Sequence, residues 1–201
     1  PDDSIFSAGS NSLRVGVVTN RPDCVDYPEV LQTIQRVAVI DHHRRAASYI
    51  ENYVISLHEP YASSASELVT ELLQYILSSS QELRKEEAEA LLAGIFLDTK
   101  SFTVKTGVRT FEAAAYLRRG GADITRVRKL FRENMVDYQA KAEAVRLAEV
   151  YMDSFAISGC PSDGLDSPTI IGAQAANELL EIRGIKASVV LTPYNGVIYY
   201  S

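Results

Sequence analysis

The chain has 201 residues, 46% of them apolar and 23% charged, with 20 Lys plus Arg against 26 Asp plus Glu and a net charge of −6. This ordinary globular balance excludes disordered, collagen-like and mucin-like architectures, and no run approaches the roughly 18 apolar residues that a membrane span requires. The acid excess excludes a broad basic face for duplex nucleic acid, which binds by neutralising many phosphates, and leaves room for a small anionic ligand met by local cations or a metal.

The length predicts one domain or two small ones. Cys24 and Cys160 are too few for a disulfide framework and lack metal-ligand spacing. No basic segment followed by an apolar stretch opens the chain, so a reducing cytoplasm is the expected compartment. A first residue of Pro1 rather than Met suggests a fragment of a longer chain.

Leu13-Arg-Val-Gly-Val-Val-Thr19 reads as a buried strand, and Asp26 to Gln35 as a helix with Val30, Leu31 and Ile34 on its face. Arg36-Val-Ala-Val-Ile-Asp41 is a second strand, giving a βαβ unit with parallel strands and a right-handed crossover. A loop runs through Tyr61. Ser64-Ala-Ser-Glu67 then has capping-box spacing and opens a helix with Leu68, Val69, Leu72, Leu73, Ile76 and Leu77 on one face.

After a polar break at Ser78 to Gln81, a second helix turns Ala88, Leu91, Leu92, Ile95 and Phe96 inward and carries Asp98 near its end. A third, about Val108 to Arg119, stops at Gly120-Gly121. Ile124 to Met152 reads as helix, bent near Glu133-Asn134 and long enough to join two domains. Beyond it come a strand at Phe155 to Ser158, a turn-rich stretch from Cys160 to Pro168, and a helix from Gln174 to Ile182 closed by Gly184. The strands Ala187 to Leu191 and Val197 to Ser201 are joined by a hairpin through Pro193-Tyr-Asn-Gly196.

Chemistry concentrates in Val39-Ile40-Asp41-His42-His43-Arg44-Arg45, where an acid, two imidazoles and two guanidinium groups follow an apolar strand. Open parallel sheets bind ligands at the carboxyl ends of their strands. Imidazole and carboxylate are suitable divalent-metal ligands, and adjacent side chains on extended backbone point apart, so one histidine can take a metal while the other faces an anion with Arg44 and Arg45. The competing reading is a solvated strand end with incidental histidines. Two of the chain's three histidines side by side after that aspartate weigh against it, whereas His58, alone in a loop-like stretch, carries no such signal.

Asp98 ends a helix, where the dipole disfavours a carboxylate unless a cation compensates. Lys100, Lys105 and Arg109 could meet phosphate or simply face solvent. Ser63 and Ser64 could donate to a ligand, although capping accounts for Ser64 without one.

Val39-Ile-Asp-His-His-Arg-Arg45, Glu59-Pro-Tyr-Ala-Ser-Ser64 and Gly94-Ile-Phe-Leu-Asp-Thr-Lys-Ser-Phe102 together resemble the DHH phosphoesterase superfamily, in its branch of bacterial cyclic-di-AMP phosphodiesterases. The likeness continues through Arg109-Thr-Phe-Glu-Ala-Ala114, Leu117 to Asp123, Val127 to Arg132 and Ala173 to Leu180, and so covers nearly the whole chain.

The resemblance implies an α/β fold: a partial DHH domain over residues 1–131 with a parallel sheet flanked by helices, a helical connector at 132–154, and at 155–201 the first part of a smaller α/β DHH-associated domain. It implies His42 and Asp98 as manganese ligands of a two-ion centre, and Asp41 and His43 as catalytic residues. Asp41 would orient an imidazole. His43 would contact substrate phosphate, with Arg44, Arg45, Ser64 and Arg109 as further substrate-binding candidates. The implied reaction is Mn²⁺-dependent hydrolysis of cyclic-di-AMP to pApA.

The family's opening His-x-x-x-Asp-x-Asp motif and its later Gly-Gly-Gly-His motif fall outside the sequence, and Val18-Thr19-Asn20 aligns with its Asp-Thr-His motif. The expectation is therefore at most one well-anchored ion and slow or absent hydrolysis. Two alternatives stand beside it: a short-oligonucleotide or pAp hydrolase of the same fold, and a non-catalytic nucleotide-binding or dimerisation module. The expected partner is a cyclic dinucleotide or short oligonucleotide, without duplex nucleic acid or membrane contact by this segment. A homodimer is left open, as is a membrane-anchored parent with this region facing the cytoplasm.

Overall fold

A computed structural model describes residues 12–22, 25, 34, 36–45, 47–77 and 81–201. It divides into two compact units, residues 1–131 and 132–201. In the first, β1 (Arg14–Val17), β2 (Val37–Asp41) and β3 (Ile55–His58) form a parallel sheet in the order β1-β2-β3. Val37, Ala38, Val39, Ile40 and Asp41 are all buried, as the central strand of a covered parallel sheet should be. The helix read between β1 and β2, with Val30 and Leu31, lies outside the described residues, as does Cys24. β3 replaces the loop expected through Tyr61. Its four residues mix apolar and polar and form an edge, so they carry no run strong enough to announce a strand.

Four helices follow: α1 (Ala65–Ile76), α2 (Lys85–Asp98), α3 (Val108–Arg119) and α4 (Ile124–Leu130). Ala88, Leu92, Ile95 and Phe96 of α2 pack with Ala113, Leu117, Ala122 and Val127 into one core. The face of α1 differs from the sequence reading. Leu68 is buried, but Ile76 is 68% exposed at the carboxyl end, and Glu67 and Thr70 are buried in its place.

Gly94 lets α2 approach α1 closely, because a Cβ there would lie 2.1 Å from Ser66 Oγ. Gly94→Ala is expected to destabilise the first unit by about 1–3 kcal/mol, the usual cost of overpacking, measurable by urea unfolding.

The second unit carries α5 (Met135–Arg146), β4 (Glu149–Tyr151), β5 (Phe155–Gly159), α6 (Pro168–Leu180), β6 (Ala187–Tyr194) and β7 (Val197–Tyr200). The sheet order is β4-β5-β6-β7, with β5 and β6 parallel and both outer pairings antiparallel. Residues 149–151 were read as the end of a helix. They are strand because Met152 (φ 48) and Asp153 (φ 57) turn the chain back as a hairpin. The break near Asn134 holds, since Asn134 caps α5 by accepting from Asp137 N–H at 2.8 Å.

The stretch read as a connector packs into this unit, where Ala144 is buried with Ala156, Ile171, Ala175, Leu179 and Val190. α6 starts six residues before the reading, at Pro168, which suits a first helical turn. Gly172 masked that start, and its lack of a side chain admits Thr192 of β6. The β6–β7 turn uses Asn195 (φ 51) and Gly196 (φ 74), the expected pair for a two-residue hairpin.

Cys160 is a free, buried cysteine, and burial pushes its thiol up from the ordinary range. Alkylation mapped by mass spectrometry at pH 8 should leave Cys160 unmodified in the folded chain and modify it in urea.

Candidate functional site at the carboxyl end of the first sheet

The register of the first sheet gathers its chemistry. Asp41 ends β2 opposite His58 of β3, and Val18, the residue after β1, donates its N–H to Ile40 O at 3.0 Å. Glu59 N–H continues the ladder to Asp41 O at 3.0 Å. Val18, Asp41, His42, His43, His58 and Glu59 therefore share the end where parallel sheets bind ligands.

Asp41 is fully buried. Its Oδ1 accepts from His43 N–H at 3.0 Å and pairs with His43 Nδ1 at 2.8 Å, and its Oδ2 accepts from Asn20 Nδ2. Burial pulls the carboxyl upward. The hydrogen bonds from His43 and Asn20 outweigh it and hold Asp41 below the usual carboxylate range. An ionised carboxylate only accepts, so the proton between them sits on His43 Nδ1. The His43 side chain is 57% exposed.

His42 lies differently. Its side chain is 9% exposed, and its buried Nε2 has no hydrogen-bond partner although Asp98 Oδ2 is 3.5 Å away. The two imidazoles nevertheless approach, with ring centroids 4.4 Å apart, because the chain bends at His43 instead of continuing as extended strand.

Asp98, the last residue of α2, is held by the turn that follows. Lys100 (φ 46), Ser101 (φ 56) and Phe102 (φ 68) are three consecutive left-handed residues, each costing roughly 1–2 kcal/mol. Thr99 Oγ1 donates to Ile95 O at 2.6 Å and accepts from Phe102 N–H at 2.9 Å. The Phe102 ring packs against Phe96 and Phe111, with centroids 5.1 Å and 5.3 Å away. Thr99 and Phe102 thus fix a strained turn beside Asp98, the kind of strain that clusters at functional sites.

The remaining candidates are placed otherwise. Arg44 is exposed, and the Arg45 guanidinium lies 4.8 Å over the Tyr49 ring. Ser64 is buried and accepts from Glu67 N–H at 3.0 Å as the α1 cap. The box is only half formed. Glu67 does not return to Ser64, and its Oε2 accepts from Ser63 Oγ at 2.5 Å and Thr110 Oγ1 at 2.6 Å. Glu67→Ala should cost about 2–4 kcal/mol in chemical denaturation, because it strands these buried hydroxyls and opens a cavity.

Arg109 is bidentate to Glu71, at 2.7 and 2.6 Å, with Glu59 3.6 Å away. The geometry gives Ser64 and Arg109 structural duties. Asn20, singled out only within Val18-Thr19-Asn20, and His58, which carried no sequence signal, both belong to the Asp41–His43 cluster. Asn20 Nδ2 bonds Asp41, and His58 Nε2 lies 2.5 Å from His43 O.

An unpartnered buried imidazole nitrogen beside a carboxylate suits a divalent cation, so His42 and Asp98 fit as part of one metal site. Among the described residues no three His, Cys, Asp or Glu side chains converge as a metal cluster. Val18 (φ 68) occupies the left-handed region, strained for a β-branched side chain.

The matching family model is the N-terminal domain of the DHH family, over residues 14–95. The chain is 40% identical over 192 residues to the cyclic-di-AMP phosphodiesterase PdeA of Listeria monocytogenes and 42% identical to the cyclic-di-AMP phosphodiesterase GdpP of Geobacillus thermodenitrificans. Each alignment covers 96% of this chain and 29% of the relative, so the chain spans less than a third of those proteins. A probable manganese-dependent inorganic pyrophosphatase of Thermotoga maritima is 28% identical, over 70% of this chain and 26% of that protein.

Among solved structures, an exopolyphosphatase-related protein from Bacteroides fragilis superposes with a TM-score of 0.83 at 21% identity, over 99% of this chain and 59% of that one, a likeness of fold. With the match running from β1 into α2, and Asp41-His42-His43 set at the carboxyl end of β2, residues 14–95 belong to the N-terminal domain of the DHH family.

Proposed function

We propose that the chain is the phosphodiester-binding part of a divalent-metal phosphodiesterase acting on cyclic-di-AMP, with its own hydrolytic power reduced. The observation that carries the reading is the buried, unpartnered Nε2 of His42 beside Asp98, next to an Asp41–His43 pair whose outer nitrogen faces solvent. The names of the phosphodiesterase relatives support the substrate, and that of the pyrophosphatase relative supports manganese.

His42 and Asp98 would hold one Mn²⁺, which when bound polarises a phosphoryl oxygen and lowers the pKa of a bound water. With Nδ1–H kept on Asp41, a protonated His43 would donate Nε2–H to a phosphate oxygen, and the exposed Arg44 and Arg45 add positive charge beside it. Asp41 keeps His43 in one tautomer and orientation. Hydrolysis would add one water across one P–O3′ bond. The hydroxyl oxygen joins phosphorus, the 3′ oxygen leaves with the proton, and linear pApA results.

With Val18 at the position where the family pattern has aspartate, a second ion has no donor set among the described residues. That observation favours a second reading, a nucleotide-binding module without turnover. Titration of the chain with pApA in EDTA, then with Mn²⁺, separates the two. The phosphodiesterase reading expects Mn²⁺ to tighten pApA binding and His42→Ala to abolish that gain. A binding module is indifferent to Mn²⁺.

A further inference from the structure

Three contacts converge on one residue of the site loop. His43 is gripped through its backbone N–H by Asp41 Oδ1 at 3.0 Å, through Nδ1 by the same oxygen at 2.8 Å, and through its carbonyl by His58 Nε2 at 2.5 Å. A carbonyl only accepts, so His58 carries its proton on Nε2 and donates. The first two contacts come from β2, the strand that leads into the loop. The third comes from a different strand, β3, where the register sets His58 opposite Asp41.

Without the third contact, the hydrogen bonds that hold His43 among the described residues come from its own strand. The loop beyond it, Arg44 and Arg45, is exposed. The His58 bond closes a frame across two strands, and Asn20 closes it from the β1 side by donating to Asp41 Oδ2. All three strands then bear on the orientation of a single imidazole.

We propose that His58 is a positioning residue: by donating from β3 to the His43 carbonyl, it locks the site loop so that His43 Nε2 points outward at the phosphodiester. The proposal rests on the reading that His43 meets phosphate. It assigns to the third histidine a duty that a loop residue facing solvent would not have. His58 does not touch the reacting atoms and acts through His43.

The test is long-range ¹H–¹⁵N imidazole spectroscopy on the metal-free chain, at a pH where His43 is neutral. The wild-type chain should show His43 as the Nδ1–H form, with one protonated and one bare nitrogen. His58→Leu removes the donor and should average the two His43 nitrogen signals as Nδ1 leaves Asp41 part of the time. His58→Gln retains an amide donor at similar reach and should restore the wild-type pattern. His58→Asn, whose amide is too short, serves as a second broken variant if the leucine chain does not fold.

In EDTA, His58→Leu should bind pApA about three- to tenfold more weakly, the range for one lost hydrogen bond, and His58→Gln should stay within about twofold of wild type. An unchanged His43 pattern in the broken variants overturns the proposal, as does a Gln variant as disturbed as Leu. Absence of pApA binding by the wild-type chain counts instead against the phosphodiesterase reading, and the imidazole pattern still decides the role of His58.

Discussion

Replacing Val18 by Asp is expected to tighten Mn²⁺ binding at least tenfold and to raise cyclic-di-AMP turnover above that of the parent chain. Val18 follows β1 and pairs its N–H with Ile40 O at 3.0 Å, so it stands beside Asp41 on the end of the sheet that holds His42. His42 and Asp98 alone leave most of an ion's coordination to water, and a third anionic donor changes both affinity and geometry. A tenfold change corresponds to about 1.4 kcal/mol.

The substitution should not damage the fold. Val18 has φ 68, a conformation in which Asp is enriched and β-branched residues are outliers, so the variant should be as stable as the parent or more so. Calorimetric titration with Mn²⁺ and a thermal melt on the same sample check both halves. Unaltered affinity with an intact fold would show that Val18 does not face the metal site.

Removing the Asp41 carboxylate should do the greatest harm. Asp41→Ala removes the acceptor of three donors, the buried Asn20 amide and the part-buried His43 N–H and Nδ1–H. The expected loss is about 3–5 kcal/mol, the usual range for breaking a buried charged network, together with loss of pApA binding. The pH dependence has a definite sign. Asp41 is held below the usual carboxylate range, so the unfolded chain binds its proton more readily, and the group stabilises the fold above that range. That contribution is lost as pH falls through the lowered native value. Urea unfolding of the parent should therefore weaken on the acid side, and the alanine variant should show a shallower acid limb.

How much of this was legible in the sequence depends on how local each signal is. β2 announces itself as an apolar run because both its faces are covered, and α3 because its periodicity ends at a glycine pair. His42 and Asp98 were legible only as separate signals and through the family likeness, and the fold brings them to 3.5 Å. Asn20 and His58 were not legible, because their roles come from register across strands, which no window of sequence contains. Ser64 and Arg109 carry structural contacts that their residue types did not announce. Their residue types suit phosphate, but Glu67 N–H and the Glu71 carboxylate engage them first. The end of α5 failed for a local reason. The 149–151 stretch keeps apolar spacing compatible with helix, and only the left-handed pair Met152 and Asp153 makes it a hairpin.

The most direct test of the central claim is a calorimetric Mn²⁺ titration of residues 1–201, run beside a cyclic-di-AMP turnover assay. One weakly bound ion, abolished by Asp98→Asn, is expected, with turnover far below the ~1 s⁻¹ at the low end of ordinary enzymes. Tight binding of two ions with turnover near that rate would contradict it, because the His42–Asp98 pair would then not be the chain's principal metal anchor.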